Sequence, residues 1–139
     1  MRNAGARPGQ PELPADAFDY LDCVESAEPI GEVAEPSAWL GVAFSGMPTW
    51  VTNLRRAALR PGEWAVVDSS KEVLHMVQPT SIGTATILAR TIDGRRRLTT
   101  GIRFAPGAGR WVWAVIGPIH RRSARRVVAG VEIRAAGAA

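Results

Sequence analysis

The sequence predicts an α+β fold in which a curved antiparallel sheet of about five to six strands carries two short helices and a long C-terminal helix. Three observations predict it. Apolar residues alternate with a period near two around Phe18 and again after Glu63; two proline-led runs with helical spacing lie between those stretches; and Pro118 opens a last run of helical spacing. At 139 residues, 46% hydrophobic and 22% charged, the chain has the profile of one globular domain with one core.

Residues 1–14, MRNAGARPGQPELP, hold three prolines and no apolar periodicity, so they are expected to be a flexible, disordered tail. The domain is expected over residues 18–134. It begins with FDYLDCVE, where Phe18, Tyr20, Asp22 and Val24 alternate with Asp19, Leu21, Cys23 and Glu25 as in a strand. Pro36 and Pro48 then stand where prolines open helices. Trp39, Leu40, Ala43, Phe44 and Met47 follow the first, and Trp50, Val51, Leu54, Ala57 and Ala58 the second, which Pro61-Gly62 should stop near Arg60.

The period then changes to two, predicting strands at about 63–67, 72–78, 84–92, 96–104 and 110–116. Asp93-Gly94 reads as a tight hairpin turn and Pro106-Gly107-Ala108-Gly109 as a looser one. From Pro118, Ile119, Ser123, Val127 and Val131 form a stripe that should pack on the sheet, with Arg121, Arg122, Arg125 and Arg126 around the rest. A sheet wrapped around one helix leaves a cavity between them.

No run approaches the roughly 18 to 20 apolar residues of a spanning helix, and the N-terminus is polar rather than a signal sequence, so a cytoplasmic protein without a membrane partner is expected. Cys23 has no disulfide partner, and His75 and His120 lie too far apart in sequence for zinc-type spacing, so no metal is expected. The charge is uneven. Residues 1–50 hold Arg2 and Arg7 against eight carboxylates, whereas residues 51–139 hold fifteen basic residues against five. The basic half invites a nucleic-acid reading through the arginines of the last helix. However, sixteen of the seventeen basic residues are arginine in a chain rich in Gly, Ala and Pro, a pattern that coding bias explains, so no nucleic-acid partner is expected.

Conventional catalytic machinery is missing. Ser45 in Phe44-Ser45-Gly46 lacks the glycine of a nucleophile elbow, and Cys23 lies in an acidic strand that raises its pKa. Glu72 and His75 would point to opposite faces of a strand. GAGR at 107–110 lacks the rest of a nucleotide fingerprint and reads as a turn, so no organic cofactor is expected.

The aromatic residues are more informative. Five tryptophans, three methionines and three phenylalanines beside a single tyrosine supply large flat or polarizable surfaces suited to an extended hydrophobic ligand, although such residues are also ordinary core. His75, in VLHMV, is the titratable group that the pattern sets among apolar neighbours, as a donor to an oxygenated ligand or as a satisfied structural histidine. His120 is expected to be structural. Arg103 would face solvent, or reach the pocket mouth if the sheet curls. The candidate catalytic residues are His75 and Trp64, and Tyr20, Met76, Trp111 and Trp113 are candidates for binding substrate. The pattern leaves open which face of the His75–Met76 strand turns inward.

The segment RRLTTGIRFAPGAGRWVWAVIGPIHRRSARRVVAG, with the element order, resembles the helix-grip superfamily of START-like polyketide cyclases and lipid carriers. In particular it is similar to a bacterial domain family of unknown function with a Thr-Thr strand end, a Gly-Arg turn and a Pro-x-His-Arg helix start. Here these are Leu98-Thr99-Thr100, Gly109-Arg110-Trp111 and Pro118-Ile119-His120-Arg121. Two tryptophans at alternate positions after the Gly-Arg turn depart from that pattern. Length, tryptophan content and the lack of acid-base machinery also resemble the small pericyclases of polyene macrolactone biosynthesis. That resemblance implies a cofactor-free cyclase, acting on a hydrophobic small molecule by six-plus-four or four-plus-two cycloaddition; a homo-oligomer is left open by the sequence. A non-catalytic carrier on the same fold is the alternative.

Overall fold

A computed structural model describes residues 5–29, 35–107 and 109–130. In chain order its elements are β1 (Ala6–Pro8), a single 3-10 turn (Ala15–Ala17), β2 (Tyr20–Ser26), α1 (Pro36–Ser45), α2 (Thr49–Leu59), β3 (Ala65–Ser69), β4 (Val73–Thr80), β5 (Gly83–Ile92), β6 (Arg95–Phe104) and α3 (Gly109–Val128). The strands form one antiparallel sheet in the order β1-β2-β6-β5-β4-β3. The expected α+β layout holds, with a long C-terminal helix.

Local chemistry explains most element ends. Pro36 occupies the first turn of α1, where its missing N–H costs nothing, and Pro48 caps α2. Asp93 and Gly94 have φ of 52° and 74°, the left-handed pair that a two-residue turn needs to match strand twist. Gly83 opens β5 at φ 138°, where a Cβ would meet the Arg103 carbonyl oxygen at 2.0 Å.

Strand register sorts the side chains. Asp22, Thr100, Ile87 and Met76 form one row across β2, β6, β5 and β4. This row faces the helices, because Ile87 and Met76 pack with Trp39, Leu40, Val127 and Val128 of α1 and α3. The next row, Cys23, Thr99, Leu88 and His75, faces the opposite side. Trp39 anchors α1: its indole N–H donates to Thr91 Oγ1 at 3.0 Å, and the Arg96 guanidinium lies 5.4 Å from its ring centroid. Arg96 also donates to the Val127 carbonyl at 2.9 Å, tying β6 to the negative end of α3.

Two expectations are corrected. Residues 110–116, expected as a strand, belong to α3, which runs through Pro118. The run Trp111-Val112-Trp113 imitates strand alternation, but burial at Gly109, Trp113, Ile116, Gly117, Ala124, Val127 and Val128 follows helical spacing. Pro118 and Ala114 are both exposed, so the hydrogen bond that the proline cannot make is lost on the solvent side.

The second concerns residues 1–14, whose described part, from Gly5, is no disordered tail. β1 pairs with β2, Gly9 N–H donates to the Cys23 carbonyl at 3.0 Å, and Ala27 N–H donates to the Gly5 carbonyl at 3.1 Å. The segment is held by charge rather than by apolar periodicity, which is why its pattern reads as a tail. Arg7, Glu25, Arg97 and Arg90 align across the outer face, and Glu12 pairs with both Arg97 and Arg90. Burial works to raise the Glu25 carboxyl pKa, but hydrogen bonds from Arg7 and Arg97 outweigh it and hold the pKa below the usual value. Arg103, considered for the pocket mouth, instead donates to the Ala17 carbonyl at 2.9 Å.

Deleting residues 1–14 should therefore destabilise the fold by at least about 2 kcal/mol, through lost ladder bonds and the carboxylate partner of Arg90 and Arg97. It should also uncover the buried Cys23 thiol. Denaturant melts and thiol-reagent kinetics check this: unchanged stability together with unchanged Cys23 reactivity would contradict it.

Candidate ligand-binding site

The core is split. Trp39, Leu40, Leu74, Met76 and Val127 belong to one cluster, and Leu59, Ile82, Ile102, Trp113 and Ile116 to another. A branched cavity lies where they meet. One arm, of about 50 Å³, runs between α1, α2 and α3 over Ile87 and Leu98. The other, of about 30 Å³, runs toward Ile82, Ile102 and Trp113. Ile87, Ile116, His120 and Arg55 border both arms. Both share lining residues, Arg55 among them, with an outer chamber of about 200 Å³, where Phe44 and Trp64 stack with ring centroids 6.3 Å apart. Either arm holds only a few waters as it stands.

Few polar groups meet this space. His120 is carried inward by α3, and its Nε2 lies 3.0 Å from Thr100 Oγ1. Burial, then the charges of Arg55 and Arg121, push its pKa down to about 3, so the imidazole is neutral at ordinary pH. The 3.8 Å approach of His120 to Asp22 is therefore not an ion pair. Behind His120 stands a polar group: Tyr20 donates to Asp22, Arg121 Nη1 donates to the Tyr20 hydroxyl at 3.2 Å, and Tyr20 meets Trp113 edge-on at 5.0 Å. Burial, then the Asp22 hydrogen bond, push the Tyr20 pKa up to about 12, and burial raises Asp22. Gly117 lies close beside this group, since a Cβ there would stand 3.0 Å from Arg121 Nη1 and 3.1 Å from Trp113 Nε1 and these side chains would have to give by a few tenths of an ångström.

The predicted site residues separate. Trp64 and Trp113 border the cavity. Tyr20 packs behind Trp113, and Met76 is buried on the inner face as part of the core. His75 is not brought to the cavity, since register turns it with Cys23 and Leu88 to the far side of the sheet. Trp111 is 73% exposed on the outer side of α3, whereas Trp113 is 7% exposed; as helix residues two apart they cannot share a face. His120, expected to be structural, and Arg55, not singled out in the sequence, border the cavity instead. A signal for Arg55 was available. It sits four residues after Val51 and four before Leu59, on the buried stripe of α2.

Comparison with protein-family models, curated proteins and solved structures finds no match for this chain. Among the described residues, no helix is long and apolar enough to cross a membrane.

A pH test follows from His120. The unfolded chain takes up a proton near pH 6.5 and the folded one only near 3, so this contribution is complete above about pH 6.5 and is lost as pH falls toward 3. Asp22, raised by burial, acts in the opposite sense and is present in both proteins compared. Between pH 7 and 4.5 the natural chain should lose about 2 kcal/mol more unfolding free energy than His120→Gln. Equal losses in denaturant melts would show that His120 titrates as an exposed histidine.

Proposed function

We propose that the protein is a small cofactor-independent cyclase of natural-product biosynthesis, which folds a hydrophobic polyene in its branched cavity for intramolecular cycloaddition. The observation that carries this reading is the wall of the cavity. Side chains such as Leu40, Met47, Ile87, Leu98, Ile116 and Trp113 supply shape, while the nucleophiles considered in the sequence stand elsewhere. Ser45 is exposed and donates to the Val42 carbonyl at 3.1 Å, and Cys23 lies on the opposite face of the sheet, beside Gly9.

Such a wall acts by conformation. A flexible polyene entering between Phe44, Met47 and Trp64 exchanges its many folded forms for the few that the outer chamber accepts. Removing that entropy before the barrier supplies several kcal/mol. His120, neutral and fixed against Thr100, offers a hydrogen bond to a carbonyl whose dipole grows in the transition state. Neither step consumes a proton, so the rate should vary little between about pH 6 and 9.

The test is conversion of an extended polyketide chain carrying a conjugated triene and a diene into an isomer of the same mass, with loss of polyene absorbance. Binding without conversion would instead favour the carrier reading. Trp64→Ala should lower turnover or change the product ratio, because a looser chamber admits other folded forms. Trp111→Ala, on the exposed side of α3, should leave both unchanged. Thermal melts of each variant separate these effects from loss of fold, and a Trp111→Ala defect as large as that of Trp64→Ala in a folded protein would overturn the assignment of the cavity.

A further inference from the structure

Arg55 is the feature of the cavity that shape alone does not explain. Its position on α2, with Val51 and Leu59 one turn to either side, directs it toward the core, whereas its neighbour Arg56 is exposed. It borders both arms and the outer chamber, so the guanidinium stands where the three meet. No carboxylate among the described residues pairs with it. On the outer face, by contrast, Arg97 pairs with Glu12 and Glu25, and Arg90 with Glu12.

A guanidinium among apolar walls loses hydration and gains nothing unless an acceptor arrives. Burial alone lowers the Arg55 pKa, with no opposing partner. The nearest titratable group does not help: His120 is kept neutral partly by the Arg55 charge and can only donate or accept a hydrogen bond. The junction thus carries one uncompensated positive charge and a neutral imidazole at the inner ends of two apolar arms. A planar fork of N–H donors fits a carboxylate in two parallel bonds.

We infer that the cavity takes a ligand with a carboxylate on an extended apolar chain, the carboxylate seated on Arg55 beside His120 and the chain running out through the outer chamber between Phe44, Met47 and Trp64. This assignment rests on the reading of the cavity as the ligand site and narrows its substrate class to hydrophobic carboxylic acids.

The test uses cis-parinaric acid, a conjugated tetraene fatty acid, and its methyl ester, titrated into the full chain and followed by polyene fluorescence. The natural protein should bind the acid at least about tenfold more tightly than the ester, the difference that the charged pair adds. Arg55→Met, which keeps the apolar stem, should bind the two alike at the ester's affinity, and Arg55→Lys should keep part of the preference. Arg122→Met, an exposed change on α3, should keep all of it and thereby excludes a general effect of net charge. Equal binding of acid and ester by the natural protein would overturn the carboxylate assignment and leave the cavity reading intact. Binding of neither would overturn both. An acid preference that survives Arg55→Met in a folded protein would place the carboxylate elsewhere and also overturn the proposal.

Discussion

The structure depends on the pairing of β2 with β6. These strands lie far apart in sequence, yet Tyr20 to Glu25 align with Ile102 to Arg97 in the interior of the sheet. Closing that pair carries α1 and α2 out and back on one face, while the hairpins from β3 to β6 complete the sheet. α3, leaving β6, has only that same face on which to pack. Three helices then compete for one surface, and they meet as two clusters of apolar side chains with a branched space between them.

The same register divides the chemistry of the two faces. On the outer face, a row runs from Arg7 through Glu25 to Arg97 and Arg90, and Glu12 crosses over the last two, so each arginine of the row meets a carboxylate. That network brings the N-terminal segment across the sheet and buries Cys23. On the inner face the balance is different. Tyr20 donates to Asp22 Oδ2 beside Arg121, His120 is neutral, and Arg55 has no carboxylate partner among the described residues. On the proposal made above, a ligand supplies the acceptor that the chain does not give Arg55.

α3 shows how a short pattern misleads. Trp111, Val112 and Trp113 are aromatic and β-branched residues, the composition of a strand, and Pro118 resembles a helix start. The helix wins because its burial repeat extends over twenty residues, from Gly109 to Val128, and outweighs the local preference of three. The missing bond at Pro118 is tolerated at an exposed position. One consequence is that Trp111 and Trp113 part company, and another is that His120 turns inward beside Thr100.

The sequence by itself determined the α+β class, the proline-led starts of α1 and α2, the Asp93-Gly94 turn and the strands on either side of it. Each rests on a local rule, a fixed φ, a left-handed turn or a period of two, that needs no distant partner. Trp64 and Trp113 border the cavity as read, but Trp111, named on the same ground, is exposed, so aromatic character alone did not tell them apart. Only the tertiary structure decided that Met76 and not His75 faces the helices, since a strand's period of two names two faces without saying which is covered. It alone brought Arg55 and His120 together across α2 and α3, and it alone gave residues 5–14 a place, through pairing with carboxylates and arginines far along the chain. Charge complementarity of that kind leaves no periodicity to read, and its partners are chosen by the fold.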